Sequence, residues 1–234
     1  MKDKKILAVA AHADDLDFGC AGSIAAWADE GAEIHYLILT DGSKGSEDME
    51  ITNDELAKMR VEEQKNAAEI LGVKKVHFGG FTDGELQNTP EVRYKIVKLI
   101  RELKPDVVVT TDPTFIYNEE FGFINHPDHR NAGQATLDSV FPFARNSRTF
   151  PDLLEQGLKP HSVLEILLVN FIKGSYYVDI SKTFDRKIEA LKKHASQIGD
   201  VDSFKERMKE RAQMLGKKND YELAETFVRI QLRG

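Results

Sequence analysis

The sequence predicts an α/β fold of the Rossmann-like, three-layer type, in which a mostly parallel central sheet carries helices on both faces. Two observations support this fold class. Strand and helix patterns alternate about four times in the first half of the 234-residue chain, as they do in parallel sheets with right-handed crossovers. Residues 6–11 and 107–109 are continuous apolar runs, which are typical of strands buried on both faces. No linker or repeat interrupts the pattern, so we expect one domain over residues 1–234.

The first half of the chain supplies the alternating elements. Apolar runs predict strands at residues 6–11, 33–39, 75–78 and 106–111. Helix-forming segments between the strands predict helices at residues 21–30, 54–71 and 90–103. Gly31 and Gly72 mark helix ends, Asp54 is the expected N-cap of the second helix, and Pro90 is tolerated in the first turn of the third.

The second half of the chain has weaker patterns. Residues 141–159 show no clear period, and we expect them to form a substrate loop or an oligomer contact. Two strands are expected at residues 163–171 and 175–180, joined as a hairpin over Lys173 and Gly174. Two further helices are expected at residues 182–197 and 202–215.

Composition limits the classes of partner. The net charge is −7, whereas a nucleic-acid partner usually requires a basic face. Cys20 is the single cysteine, so no intrachain disulfide can form. No apolar run approaches the roughly 18 residues that span a bilayer, and no signal-peptide pattern follows the N-terminus. We therefore expect a cytoplasmic protein that acts on a small molecule, without membrane insertion and with homo-oligomerisation left open.

Two short motifs carry the chemistry. His12-Ala13-Asp14-Asp15 follows the first predicted strand, and His126-Pro127-Asp128-His129 lies in the segment after the fourth. Ligands of open α/β sheets bind beyond the carboxyl ends of the strands, so the fold is expected to bring both motifs to one edge. A catalytic zinc usually has three protein ligands. His12, Asp15 and His129 can supply them.

The remaining side chains of the two motifs suit acid–base work. Asp14 is adjacent to Asp15 and is the expected general base for a metal-activated water. His126 is then free to stabilise an oxyanion or to protonate the leaving group, and Asp128 can orient that imidazole. This combination predicts a metal-dependent hydrolase. Zinc is the expected metal, and a His/His/Asp site also accepts Fe(II).

The two motifs resemble those of the LmbE-like, or PIG-L, family of zinc-dependent N-deacetylases. The Thr40-Asp41-Gly42 loop, His194 and the Ala224-Glu225-Thr226-Phe227 segment extend the resemblance over most of the chain. It implies removal of an acetyl group from an N-acetylglucosamine-type amino sugar or its conjugate, with the same metal ligands and base. It adds Arg60 and Asp83 as residues that bind sugar hydroxyls.

The chain departs from the commoner family motif at two positions. Ala13 stands where the motif has Pro, and Leu16 stands where it has Glu. Asp17 directly follows the position of the missing carboxylate and can serve nearby. The proposed ligands and the base are all present. Other roles are open for Arg60, as a helix-surface ion pair with Glu63, and for Asp83, as a turn residue.

Three other functions compete with this hypothesis. One is a non-haem Fe(II) oxygenase using His12, Asp14 and His129, although that triad usually lies on an antiparallel β fold. The second is a sugar- or nucleotide-binding domain without catalysis, which the absence of a glycine-rich phosphate motif disfavours. The third is another metal-dependent amidase. The remaining histidines are expected to be structural (His35), close to the site edge (His77), solvated (His161) or without a clear role (His194).

Overall fold

A seven-stranded sheet forms the centre of the computed structural model, which describes residues 1–119, 122–171, 174–199, 201–217 and 219–233. The strands of this sheet are β1 (Lys5–Ala10), β2 (Glu33–Thr40), β3 (Lys75–Phe81), β4 (Val107–Thr111), β7 (Glu165–Val169), β8 (Tyr176–Asp179) and β9 (Ala224–Gln231). Their order is β3-β2-β1-β4-β7-β9-β8. The first five strands in this order are parallel, and β9 is antiparallel to both of its neighbours. The prediction of a mostly parallel sheet is confirmed.

Helices cover both faces of the sheet. They are α1 (Asp15–Asp29), α2 (Asn53–Leu71), α3 (Pro90–Leu103), α4 (Pro127–Val140), α5 (Pro151–Glu155), α6 (Phe184–Leu191) and α7 (Val201–Gly216). The helices α1, α2 and α6 pack together on one face, and α3 and α4 pack together on the other. A small two-stranded ribbon, β5 (Tyr117–Asn118) and β6 (Phe123–Ile124), precedes α4. The three-layer prediction is therefore confirmed as well.

Side chains of β1 alternate between the two cores. Ile6 and Ala8 pack in the core that includes α1 and α2. Leu7 and Val9 pack in the core that includes α3 and α4. All four are fully buried. Because both faces of the strand are covered, its sequence is a continuous apolar run rather than an alternation of apolar and polar residues.

Two helix boundaries differ from the predictions. The first helix begins at Asp15 rather than at residue 21, and it bends at Cys20, where φ is −151°. The expected helix at residues 21–30 corresponds to the part after this bend. The N-cap of α2 is Thr52 rather than Asp54, because Thr52 and Glu55 form a reciprocal capping box.

The strands β7 and β8 do not form the predicted hairpin. The last strand, β9, lies between them and pairs antiparallel with both, so that Phe227 is opposite Val169 on one side and Tyr176 on the other. The hairpin prediction is wrong because it did not include β9. Lys173, in the expected turn, lies outside the described residues. The predicted helix at residues 182–197 is also shorter, since α6 ends at Leu191.

Residues 141–159 pack at the edge of the sheet that is opposite the carboxyl ends of the parallel strands. Arg101 lies in the last turn of α3, which leads into the start of β4. Its guanidinium donates to four carbonyl oxygens of this segment at 2.8–3.3 Å, those of Phe143, Ala144, Asn146 and Thr149. This placement disfavours the substrate-loop interpretation, and the oligomer contact stays a prediction.

The fold is relevant to two further predictions, the lack of membrane insertion and the Fe(II)-oxygenase alternative. Among the described residues, no helix combines the length and the hydropathy needed to cross a membrane. The parallel sheet also disfavours the Fe(II)-oxygenase alternative, because the triad of those enzymes usually lies on an antiparallel β fold.

Candidate metal and catalytic site

The site lies beyond the carboxyl ends of the parallel strands, where their loops meet. His12 follows β1, Asp83 follows β3, and His126 is the N-cap of α4. These residues line an open cleft. The full lining consists of His12, Asp14, Asp15, Phe18, Lys44, Gly45, Arg60, Asp83, Gly84, His126, His129 and Gln197. The fold thus brings both sequence motifs to one edge, together with the predicted residues Arg60 and Asp83.

The three predicted metal ligands converge. His12 Nδ1 lies 3.1 Å from His129 Nε2 and 3.6 Å from Asp15 Oδ2. Asp15 Oδ1 lies 2.9 Å from His129 Nε2. Donor atoms that bind one zinc ion tetrahedrally at roughly 2.0–2.2 Å are roughly 3.3–3.6 Å apart. The observed separations are close to this range, so these residues fit a divalent metal of zinc type.

Asn125 fixes the orientation of His129. Its Nδ2 donates to the carbonyl oxygen of Phe115 at 2.8 Å, so Oδ1 is the atom that faces His129 Nδ1, at 3.0 Å. Because an amide oxygen can only accept, Nδ1 carries the proton and Nε2 presents its lone pair towards His12 and Asp15. Asn125 was not among the predicted site residues. The sequence feature that could have indicated Asn125 is its position directly before the second motif.

Three carboxylates surround the His12 imidazole. Nε2 lies 2.9 Å from Asp83 Oδ1 and 3.4 Å from Asp128 Oδ2, and Nδ1 faces Asp15. The two contacts of Nε2 lack the alignment of hydrogen bonds and are charge contacts. Burial opposes a charge on the ring, but Asp128, Asp15 and Asp83 outweigh it and raise the pKa of His12 to about 12. Such an excess of negative charge favours a cation at this place.

Three sets of donor atoms share His12. The first uses Nδ1 with Asp15 and His129, and the second combines buried His12 with buried Asp83 and Asp128. The third has His126 in place of Asp15, beside His12 and His129. Asp128 already accepts two backbone N–H groups, at 2.8 and 3.2 Å, and Asp83 accepts one at 3.0 Å. The second set therefore has the character of outer carboxylates that orient a ligating histidine. The first set faces the cleft, since the His129 side chain is 26% exposed.

Asp14 lies beside the donor set in an uncommon backbone conformation, with φ of 91°. Its Oδ2 accepts a hydrogen bond from Arg60 Nη2 at 3.3 Å. Burial and the nearby charge of Asp15 raise the pKa of Asp14 to about 7, although Arg60 opposes this shift. A carboxyl group with a pKa near neutrality can both accept and release a proton at pH 7.

His126 and Asp128 are linked differently from the prediction. His126 Nδ1 accepts the backbone N–H of Asp128 at 3.2 Å, whereas the Asp128 carboxylate faces His12. Because Nδ1 accepts, the proton of the neutral His126 ring resides on Nε2. Burial, and then the charges of His12 and His129, lower the pKa of His126. The His126 ring centroid lies 4.9 Å from that of His12, so the ring adjoins the candidate metal ligands.

Arg60 and Asp83 line the cleft but also contact protein groups. The Arg60 guanidinium is buried and donates to two backbone carbonyl oxygens, at 3.1 and 3.0 Å. Glu63 does not form the surface ion pair of the alternative interpretation. Its carboxylate instead accepts the N–H and O–H of Ser196, at 2.8 and 2.7 Å. Burial alone would raise the pKa of Asp83, but its contacts, chiefly that with His12, lower it to about 2. Binding of sugar hydroxyls by Arg60 and Asp83 stays a prediction.

The other histidines have structural partners. His35 Nδ1 lies 3.2 Å from His77 Nε2. The placement of His77 near the site edge is wrong, because β3 continues beyond it. His161 is not simply solvated, since its Nε2 lies 2.8 Å from a backbone carbonyl oxygen. His194 is fully buried behind the site, with Nε2 2.7 Å from Asp17 Oδ2.

The fold and the cleft define a class: a three-layer α/β protein with a metal-type donor set and a buried acid group at the carboxyl edge of the sheet. The family model PIG-L, described as GlcNAc-PI de-N-acetylase, matches residues 7–140. The match covers more than half of the chain. This chain belongs to the PIG-L, or LmbE-like, family of deacetylases, as its motifs implied.

Named relatives support the same assignment. A diacetylchitobiose deacetylase from Thermococcus kodakarensis is 41% identical over 195 residues, which cover 83% of this chain and 70% of the relative. A probable N-acetyl-alpha-D-glucosaminyl L-malate deacetylase 2 from Bacillus anthracis is 30% identical over 203 residues, covering 84% and 82%. The solved structure of N,N'-diacetylchitobiose deacetylase from Pyrococcus horikoshii has a TM-score of 0.90 and 32% identity, covering 97% and 84%.

Proposed function

We propose that this chain is a metal-dependent hydrolase that removes the acetyl group from an N-acetylglucosamine-type amino sugar or its conjugate. One observation carries the proposal. In a chain of the deacetylase family, donor atoms of His12, Asp15 and His129 lie 2.9–3.6 Å apart beside a buried Asp14. The diacetylchitobiose and glucosaminyl-malate deacetylases among the relatives support the substrate class.

His12, Asp15 and His129 would hold the metal, which is zinc or Fe(II) in this proposal. Such an ion, when bound, supplies Lewis acidity to the amide carbonyl and lowers the pKa of water. Asn125 holds His129 in the tautomer that this role requires. Asp83 and Asp128 hold the opposite edge of His12. In this arrangement two imidazoles and one carboxylate would bind the same ion.

Asp14 would move the proton. Its carboxylate takes a proton from the attacking water and passes it to the amine nitrogen when the C–N bond breaks. The pKa of about 7 suits both transfers at neutral pH. Arg60, at 3.3 Å, restrains the carboxylate without a strong shift towards permanent ionisation.

His126 would stabilise the oxyanion that forms from the amide carbonyl. Its Nδ1 is occupied by the N–H of Asp128, so the neutral ring donates only through Nε2–H. The direction of its pKa shift favours this neutral form. We therefore assign His126 the role of hydrogen-bond donor rather than that of an acid, which leaves Asp14 as the group that protonates the leaving amine.

The decisive test is Asp14→Asn, assayed for amine release from N-acetylglucosamine and diacetylchitobiose. We expect kcat to fall about 10²- to 10⁴-fold, as for loss of a general base, while metal content is unchanged. Asp48→Asn, at an exposed position, is the matched control and should retain full activity. Chelation should abolish wild-type turnover, and zinc or Fe(II) should restore it.

Four results would contradict the proposal. Near-normal turnover of Asp14→Asn would exclude the base. Activity that survives complete chelation would exclude the metal. Sugar binding without turnover in metal-loaded protein would favour the non-catalytic alternative. Oxygen consumption with an oxo-acid cosubstrate would restore the oxygenase alternative. The single domain over residues 1–234, the cytoplasmic location, the lack of a nucleic-acid partner and a homo-oligomeric state stay predictions.

A further inference from the structure

The peptide group that precedes Asp14 is held from outside its own loop. Asp14 has a positive φ of 91°, which few residues other than glycine adopt and which persists only where the surroundings enforce it. The N–H of this peptide donates to Gln64 Oε1 at 3.0 Å. Its carbonyl oxygen, on Ala13, accepts from Arg60 Nη2 at 3.0 Å. Both polar atoms of one peptide plane are therefore bound by side chains of α2.

The spacing on α2 explains how one helix reaches both atoms. Arg60 and Gln64 are four residues apart, so their side chains lie on the same face of the helix. Arg60 also contacts the Asp14 carboxylate at 3.3 Å, whereas Gln64 accepts from the backbone N–H of Asp14 and is not among the described residues that line the cleft. Gln64 can therefore affect the position of Asp14 without touching a substrate that occupies the cleft.

A buried carboxylate determines which way the Gln64 amide points. Gln64 Nε2 donates to Asp17 Oδ2 at 2.8 Å. Asp17 also accepts from Tyr36 Oη at 3.3 Å, and His194 Nε2 lies 2.7 Å from Asp17 Oδ2. The side chains of Asp17, Gln64 and His194 are fully buried. A carboxylate accepts only, so the NH₂ end of Gln64 must face Asp17 and its oxygen must face Asp14.

We propose that Gln64 is a positioning residue for Asp14, and that Asp17 and His194 hold the Gln64 amide in its working orientation. The inference rests on the proposed role of Asp14 as the base. It assigns a role to His194, which the sequence left open. It also places the Asp17 carboxylate, one residue after Leu16, in the support of the base rather than at the metal.

A double-mutant cycle tests the inference. Gln64→Met keeps the length of the side chain and removes both hydrogen bonds. We expect it to lower kcat about 10- to 100-fold, as for a small misplacement of a reacting group, with KM and metal content unchanged. In an Asp14→Asn background, Gln64→Met should cause no further loss of kcat, because its effect passes through the base. Gln134→Met, on the exposed side of α4, is the matched control.

The His194 variants keep the inference testable if Gln64→Met does not fold. His194→Gln retains an N–H donor for Asp17 and should keep most of kcat, whereas His194→Leu should lose it to the same extent as Gln64→Met. Equal losses from Gln64→Met in the wild-type and Asp14→Asn backgrounds would overturn the inference, as would wild-type kcat in His194→Leu. Unchanged kcat in Asp14→Asn alone would instead overturn the base assignment, and the inference with it.

Discussion

The Glu225 carboxylate holds together three parts of the fold. It is 4% exposed and accepts the backbone N–H groups of Gly22 and Ser23, at 3.2 and 2.7 Å. It also pairs with the buried ammonium group of Lys187. The two N–H groups begin the part of α1 after its bend at Cys20. One side chain of β9 therefore caps this helix segment and neutralises a cation of α6.

Glu225→Ala should be strongly destabilising. The substitution leaves the Lys187 ammonium buried with the carbonyl oxygen of Phe18 as its remaining acceptor, and it leaves two helix N–H groups without an acceptor. Breaking a buried ion pair in this way costs about 3–5 kcal/mol. For a chain of this size, roughly 2–4 °C of Tm is lost per kcal/mol. We therefore expect Tm to fall by about 6–20 °C.

Urea and thermal unfolding of four proteins check this value. The double variant Lys187→Met/Glu225→Gln removes both charges and should recover part of the loss, since neutral replacement of a buried pair is often well tolerated. Glu189→Ala breaks an exposed pair with Lys192 and should cost less than about 1 kcal/mol. A loss below about 1 kcal/mol in Glu225→Ala, or a double variant no more stable than the single one, would refute the reasoning.

Three further outcomes are expected. Asn125→Leu should weaken zinc binding about 10- to 100-fold, as measured by competition with a chelator. Asn125→Asp keeps the acceptor and should bind zinc as the wild type does. Equal zinc affinities of Asn125→Leu and the wild type would contradict the tautomer assignment. Burial, and then the charge of Lys75, lower the pKa of His77 to about 4, so the unfolded chain binds the extra proton and stability falls as the pH drops from about 6.5 towards 4. Urea unfolding at pH 7 and 4.5 measures this effect. Between these pH values the free energy of unfolding should fall by about 1 kcal/mol less in His77→Gln than in the wild type, after allowance for solvent screening. Equal falls in the two proteins would contradict the prediction. Arg101→Met should lower stability by about 2–4 kcal/mol with kcat/KM unchanged, and a changed KM would restore the substrate-loop interpretation of residues 141–159.

The parallel part of the fold was predictable because its causes are local. Each buried strand is a short apolar run, and the connection between parallel strands allows few arrangements. The antiparallel part was not predictable in the same way. The pairing of Val169 with Phe227 joins residues far apart in the chain, and no turn signal marks it. The end of α6 at Leu191 was not predictable either. The residues that follow this end bring His194 against Asp17, which is far away in the sequence.

The convergence of the candidate donor atoms was predictable for a related reason. His12 and Asp15 lie within four residues, and His129 lies in a motif that the fold class brings to the same edge. The side chain that Asp128 orients was not predictable, because a carboxylate one residue before His129 can turn either to His126 or across the cleft. The structure places it against His12, since the backbone N–H groups of Gly84 and Leu86 hold it there.

No sequence motif predicts the contacts that hold Asp14, the proposed base. Gln64 is 50 residues from Asp14, and His194 is 177 residues from Asp17, so no local pattern relates them. Their polar atoms are buried, and each buried group needs a partner to offset its loss of water. The interactions that hold Asp14 at a positive φ therefore also stabilise the fold. A chain that kept both motifs but lacked Gln64 would keep the proposed metal donors and lose the restraint on Asp14.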